Sequence, residues 1–368
     1  MRILISCHPT QGGSGVVATE LAMGLASRGH DMHMAAVERP FRLGDNRDVH
    51  FHPVNVTNYP LFKYPPHDLC LANEIAEAIV AHDIQIVHAH YAVPHAIAAI
   101  LAAQAVQPHP VRVVTTLHGT DITLVGSHRD FYRVCRHAMV QCDGLTTVSQ
   151  WLLDQTMKEF DLPEPPVVLP NFVDCDRFGP RGRAGWPEDG EFQVLHASNF
   201  RPVKRVVDII RVFERIQRQI PARLVMVGDG PERGLAEELA GELGICDRVR
   251  FVGPQTAVED LYRSSHLFLL LSDYESFGLS ALEAQACGVP AVVSDAGGLP
   301  EVVRDRVTGR LSPVGDIEKI AQASLDVLGD AEQWAAMSEA AVSHARRTFC
   351  RDKILPLYED FYEQILKQ

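Results

Sequence analysis

Two glutamates, Glu275 and Glu283, bracket the string ESFGLSALE. The apolar run Leu267–Leu271 reads as a buried strand ending at Ser272, and Leu279–Ala286 carries a helical pattern. Glu275 then stands in the strand-to-helix loop, and Glu283 lies about one turn into the helix. Backbone amides near Phe277, Gly278 and Leu279, at the helix start, have no partner one turn back and favour an anion. Ser276 belongs to the same loop. Carboxylates on either side of phosphate-binding amides suit a sugar nucleotide, which presents hydroxyls, phosphates and hydroxyls in that order. Helix-capping acids would explain one glutamate but not the whole string.

Cations for such a ligand occur in SNFRPVKRV, Ser198 to Val206, where Arg201, Lys204 and Arg205 follow a predicted strand. In an acidic chain this cluster suits a phosphate, the alternative being a solvated charge run. VGDGPE, Val227 to Glu232, is another strand-to-helix glycine turn. In the first half, CHPTQGGSGVV puts Gly12, Gly13, Ser14 and Gly15 between a strand and a helix, where backbone can approach an anion. These glycines do not spell GxGxxG, and no suitably placed acid ends the second strand, so a nicotinamide dinucleotide is weakly supported. TTLHGTDI ends a strand in His118, Gly119, Thr120 and Asp121, which reads as a site edge or as a capped turn. In VHAHYAVPH, His88 and His90 share one face of a strand. No third ligand is evident at suitable spacing, so a structural pair is favoured over a metal pair. Tyr91 opens the following loop, within reach of a ligand.

The elements that must position these residues alternate along the chain. Strands are predicted at Ile3–Cys7, Met32–Val37, Val49–Val54, Ile86–Ala89, Val111–Leu117, Gly144–Val148 and Val167–Leu169, then at Gln193–Ala197, Ala222–Val227, Val249–Val252, Leu267–Leu271 and Ala291–Val293. Helical patterns fall between most of them, so parallel sheets covered on both faces are expected. The polar stretch Asp174–Gly190 is the expected boundary. It separates residues 1–173 from 174–350, with a final amphipathic segment, about 351–368, packing back on the first domain. The expected fold class is α/β: two doubly wound, Rossmann-like domains facing a central cleft, with ligands at the strand C-terminal ends.

A length of 368 residues is too much for one ordinary core. Apolar residues make up 46% and charged residues 22%, the balance of a soluble globular protein. Aromatics at 7% argue against base stacking, and the net charge of −13 disfavours nucleic acid and anionic membranes as partners. No apolar run approaches the roughly 18 residues of a membrane span. MRILISC passes directly into a strand rather than a signal peptide. The 8 cysteines form no CxxC and read as reduced thiols of a cytoplasmic protein. Homo-oligomerisation stays open.

The string Glu275-SFGLSAL-Glu283 resembles the E-x7-E motif of the family 4 retaining glycosyltransferases, which have the two-domain GT-B architecture. CGVPAVVSDAGGLPEVV is its usual continuation. PTQGGSGVVATELA, FKYPPHDL, HAHYAVPHAIAA, TTLHGTDITLVG, SNFRPVKRV and LVGDGPE are similar to the branch that joins N-acetylglucosamine to L-malate in bacillithiol biosynthesis. The matches span roughly residues 3–312. The resemblance implies UDP-N-acetylglucosamine as donor, L-malate as acceptor, and neither cofactor nor metal ion. It implies that Gly13 and Gly15 approach the diphosphate and that Lys204, with Arg201 or Arg205, neutralises it. Many members carry an Arg five residues before that Lys; Asn199 stands there in this chain. Glu275 would bind the sugar hydroxyls, with the Ser276–Leu279 backbone beside it, and Glu283 the ribose. His118 would lie near the anomeric carbon or O6, making His118, Lys204 and Glu275 the catalytic set. Ser14, Tyr91, Thr116, Thr120, Arg136 and Asn171 are candidates for the acceptor. Retention is attributed to front-side attack, so the two glutamates are not a glycosidase dyad. Competing readings are another acceptor, such as an inositol phosphate or a lipid, a non-catalytic sugar-nucleotide sensor, and more remotely an NAD-dependent oxidoreductase.

Overall fold

Among the described residues, every strand of this computed structural model pairs in parallel. The structure describes residues 1–9, 12–56, 60–126, 128–187 and 190–368. Thr10 and Gln11 of the first glycine loop therefore lie outside the described residues, as do Glu188 and Asp189 of the expected boundary.

The first unit comprises residues 1–171 and 354–368. Its elements are β1 (Arg2–Ser6), α1 (Gly13–Ser27), β2 (Asp31–Ala36), β3 (Val49–Pro53), α2 (His67–His82), β4 (Ile86–His90), α3 (Ile97–Ala105), β5 (Arg112–Leu117), α4 (Tyr132–Gln141), β6 (Gly144–Thr147), α5 (Gln150–Glu159) and β7 (Val167–Val168). The strands lie in the order β3-β2-β1-β4-β5-β6-β7. Ile3, Leu4, Ile5, Ile86 and Val87 are wholly buried, as strands covered on both faces require.

The second unit is residues 172–353. It contains β8 (Phe192–Ala197), α6 (Val206–Gln217), β9 (Ala222–Val227), α7 (Arg233–Glu242), β10 (Val249–Gly253), α8 (Glu259–Arg263), β11 (Leu267–Leu270), α9 (Leu279–Ala286), β12 (Ala291–Ser294), α10 (Leu299–Val302), β13 (Gly309–Ser312), α11 (Ile317–Leu328) and α12 (Ala331–Thr348). Its sheet order is β10-β9-β8-β11-β12-β13. The strand β13 has no counterpart in the sequence reading. It is short and glycine-led, and a Cβ at Gly309 would meet the Ala291 carbonyl at 2.1 Å.

The last helix, α13 (Arg351–Lys367), returns to the first unit. Glycines make room for it: a Cβ on Gly24 would come within 2.8 Å of Leu355, and one on Gly144 within 2.7 Å of Phe361. Arg28 adds a two-bond fork to Glu359 at 2.9 and 2.7 Å. The polar stretch Asp174–Gly190, expected to open the second domain, belongs to the second unit. Its described residues pack within the second unit, with Phe178 buried and Trp186 edge-on to Phe192. The chain changes unit earlier, at 171/172, and returns at 353/354. Val173 bridges to Cys350 there, and Arg351 pairs with Asp174 at 2.6 Å. No helix among the described residues is long and apolar enough to cross a membrane.

Candidate active site

Strand order reverses direction between β8 and β11 in the second sheet and between β1 and β4 in the first. Crevices at such switch points hold the ligands of doubly wound sheets. Each unit gathers its chemically distinctive residues in the loops that leave these strands.

In the second unit, the loop after β8 and the loop after β11 are neighbours because their strands pair. The Asp273 amide donates to the Val203 carbonyl at 2.8 Å and ties the two loops together. Lys204 Nζ consequently lies 2.5 Å from Glu275 Oε1. The Ser272 hydroxyl donates to the same oxygen at 2.7 Å. Gly297 and Gly298 clamp the loop from behind. A Cβ on Gly297 would fall 2.1 Å from the Glu275 carbonyl, and the Gly298 amide donates to that carbonyl at 2.7 Å. Gly278, at φ 100, occupies the left-handed region and starts α9. Phe277 is buried against Phe349, so it contributes backbone rather than ring to any ligand. Glu283 is buried and accepts a bond from the Tyr262 hydroxyl at 3.0 Å, a partnership with no local sequence signal. Beside β8, the VGDGPE turn meets the SNF loop closely: a Cβ on Gly228 would fall 1.8 Å from the Ser198 carbonyl. His196 beneath it is held near a pKa of about 4 by burial, with Lys204 adding repulsion and its bond to the Leu269 carbonyl opposing.

Arg201 is exposed, with no side-chain partner among the described residues. Arg205, also expected near the diphosphate, is paired within the loop. Its guanidinium is already held by Asp208 at 2.7 Å and Asp273 at 2.8 Å, so its charge is balanced inside the loop. Its backbone, at φ 49, turns the chain into α6.

In the first unit, α1 begins at Gly13, directly after the first glycine loop. Gly13 is exposed, Ser14 half-buried and Gly15 buried at this helix start. Tyr91, after β4, is held at φ 97, a costly conformation for a residue with a Cβ. Its hydroxyl and that of Thr120 are 2.8 Å apart. His118, after β5, is buried with Nε2 2.8 Å from His90 Nδ1. Burial, then His8, pushes the His118 pKa down to about 3, so the ring is neutral. The buried Asp121 carboxylate accepts from the Gly119 amide at 2.8 Å and the His118 amide at 3.1 Å, which fixes the turn. Burial raises its pKa to about 6 against those amide bonds.

His88 is a structural residue, spanning Tyr362 Oη and Thr116 Oγ1 at 2.7 Å each. Thr116, expected among the acceptor residues, is wholly buried, and its hydroxyl is taken up by His88 and Thr146. Arg136, also expected at the acceptor, lies within α4. Its Nε donates to the Asp161 carbonyl at 2.9 Å. Asp161 follows α5, which runs back from the end of β6, so Arg136 is anchored at the opposite edge of the sheet from the ligand loops. Asn171 is buried, with Oδ1 unpartnered among the described residues.

Two parallel α/β sheets with a carboxylate, an ammonium and an open helix start at one switch point define a nucleotide-sugar transferase of the GT-B fold. The family model "Glycosyltransferase Family 4" matches residues 11–177, and "Glycosyl transferases group 1" matches residues 182–344. The N-acetyl-alpha-D-glucosaminyl L-malate synthase of Bacillus anthracis is 40% identical over 373 residues, covering 100% of this chain and 98% of that relative. A D-inositol 3-phosphate glycosyltransferase of Saccharomonospora viridis is 34% identical over 244 residues, covering 60% of this chain and 56% of its own. The crystal structure of Anabaena Alr3699/HepE in complex with UDP-glucose superposes with a TM-score of 0.83 at 21% identity, covering 99% of this chain and 100% of that one. The chain belongs to the family 4 glycosyltransferases and is N-acetylglucosaminyl-malate synthase-like along its full length.

Proposed function

We propose that the protein transfers N-acetylglucosamine from UDP-N-acetylglucosamine to the hydroxyl of L-malate with retention, releasing UDP. The observation that carries this reading is the full-length likeness to the malate synthase. In the second unit, Glu283 takes the ribose diol, and the first amides of α9, with Lys204, take the diphosphate. Glu275 takes sugar hydroxyls. Lys204, already beside Glu275, moves onto the phosphate oxygens as negative charge develops on UDP. In the first unit, the neutral His118 faces the sugar, with its ring fixed by His90. Ser14, Tyr91, Thr120 and Asn171 supply neutral hydrogen bonds to the acceptor. The leaving phosphate assists deprotonation of the malate hydroxyl, so the protein acts chiefly by positioning and electrostatics.

A second reading, transfer to an inositol phosphate, is favoured by the partial likeness to the Saccharomonospora enzyme. UDP release with each acceptor separates them. A rate dependent on L-malate supports the first reading, and a rate dependent only on inositol phosphate replaces it.

A further inference from the structure

Away from the ligand loops, histidines crowd one face at the edge of the first sheet. His33 lies on β2, His50 and His52 on the edge strand β3, and His82 ends α2. The pairing sets His33 opposite His50 and Ala35 opposite His52, so all three strand histidines point to one side. α2 packs on that side, placing the His82 ring 4.5 Å from that of His33 and 5.2 Å from that of His52.

One nitrogen each from His33, His52 and His82 all lie within 4.8 Å of one another. Tetrahedral zinc, with Zn–N near 2.0–2.1 Å, holds its nitrogens about 3.3 Å apart, so small ring rotations would close this triad. His33 Nδ1 and His52 Nε2 face each other at 2.8 Å. Their outer nitrogens face carboxylates: His33 Nε2 is 3.3 Å from Asp31 Oδ1, and His52 Nδ1 is 3.8 Å from Glu74 Oε1. Carboxylates behind ligating imidazoles are the usual outer partners of a metal site, because they fix ring orientation and raise basicity. His50 Nε2 also lies 3.6 Å from Asp31 Oδ1, at the exposed margin, where a fourth ligand or water would enter.

We propose that His33, His52 and His82 form a binding site for an imidazole-preferring divalent metal ion of the zinc class, backed by Asp31 and Glu74. Three imidazoles suit zinc, cobalt, nickel or copper and do not suit magnesium or calcium, which take oxygen ligands. A bound ion would pin the edge strand β3 to the end of α2. The site stands apart from the reaction: β2 is separated from β5, which carries His118, by β1 and β4. Its role is structural.

The test uses the full chain, stripped with chelator, exchanged into plain buffer and titrated with Zn2+ and then Co2+. One equivalent of Zn2+ should bind and raise the melting temperature. The Co2+ form should show the visible bands of a four-coordinate nitrogen and oxygen site without a thiolate charge-transfer band. His52→Ala and His82→Ala should each weaken binding at least about tenfold. His82 is exposed, so its variant should retain the native circular dichroism spectrum. His128→Ala, elsewhere on the surface, should bind as wild type. Absence of stoichiometric binding, undiminished binding in both His52→Ala and His82→Ala, or a thiolate band would overturn the proposal.

Discussion

Lys204 Nζ lies 2.5 Å from Glu275 Oε1, although the two residues are 71 positions apart. Their side chains are 19% and 13% exposed, so neither charge is freely solvated and each steadies the other. Lys204→Met should therefore do two things. It should lower kcat/KM by about 10²–10³, the scale for losing one preorganised charge-stabilising donor. It should also reduce stability modestly, because among the described residues Glu275 keeps only the Ser272 hydroxyl as a side-chain donor. Lys204→Arg should recover part of the activity. Steady-state UDP release and thermal melting read these effects. Activity within about threefold of wild type would remove Lys204 from the transition state.

Glu283 and Glu275 should separate kinetically. Glu283→Ala should weaken UDP binding, because the ribose loses its acceptor; a charged hydrogen bond is worth about 1.5–3 kcal/mol. Tyr262→Phe should cause a smaller loss, since Tyr262 only orients the carboxylate. Glu275→Ala should damage turnover while leaving UDP affinity closer to wild type. Calorimetric titration of UDP against the three variants decides this, and equal losses for both glutamates would refute the division.

The order of the elements and the helix start at Gly278 were legible in the sequence, because buried apolar runs and glycine turns are local signals. The pairing of Lys204 with Glu275 was not, since it follows from β8 lying beside β11. The same limit hid the pairing of Arg205 with Asp208 and Asp273, and of Arg136 on α4 with the Asp161 carbonyl. Thr116 alternates with Thr115 along β5, and sequence alone does not show which hydroxyl meets His88 beneath α13. The polar, glycine-rich stretch after Asp174 is visible in sequence as a boundary, but its packing is not, because partners such as Trp334 lie far along the chain.

Gly297→Ala should act on Glu275 without touching any substrate. The glycine sits at φ 64, and its new Cβ would fall 2.1 Å from the Glu275 carbonyl and 2.7 Å from its amide. Backbone cannot yield as a flexible side chain would, so the loop must shift. Turnover should fall at least about tenfold, since a displacement of ~1 Å at a reacting centre costs as much as 10²-fold. UDP affinity should change less, because Glu283 lies on the far side of the helix start. An unchanged kcat would show that the close approach is dispensable.

Stability should fall on acidification before carboxylates titrate. Burial holds His88 and His118 at about 3 and His196 at about 4, all below the ordinary histidine value of 6.5. The unfolded chain therefore binds protons that the folded chain refuses. The stabilisation is fully present above about pH 6.5 and is lost as pH falls toward 3–4. Asp121, raised by burial to about 6, contributes the opposite slope between its ordinary value of 3.8 and that point, which blunts the trend. Burial also lowers His90 and His95 well below 6.5 and His33 to about 4, so the buried histidines together set the net direction. Melting temperatures between pH 7.5 and 4.5 should decline, and His196→Gln should decline less steeply than wild type. A flat profile would contradict the assigned neutral rings.

The acceptor should be a small dicarboxylate carrying a hydroxyl. A chain with net charge −13 needs a local cation to hold a diacid beside an anionic donor. Arg205 and Arg136 are already held, whereas Arg201 is exposed and without a side-chain partner among the described residues. A guanidinium meets a carboxylate through two parallel bonds, so Arg201→Ala should raise the malate KM about tenfold or more, and Arg201→Lys should restore only part of it. L-Malate should accept the sugar. Succinate has the same two carboxylates and no hydroxyl, so it should bind competitively and accept nothing. If UDP release ignored malate but rose with inositol phosphate, the acceptor assignment would fail. The family membership and the donor reading would stand, because they rest on the Glu275–Glu283 helix start and on the matched family models rather than on Arg201.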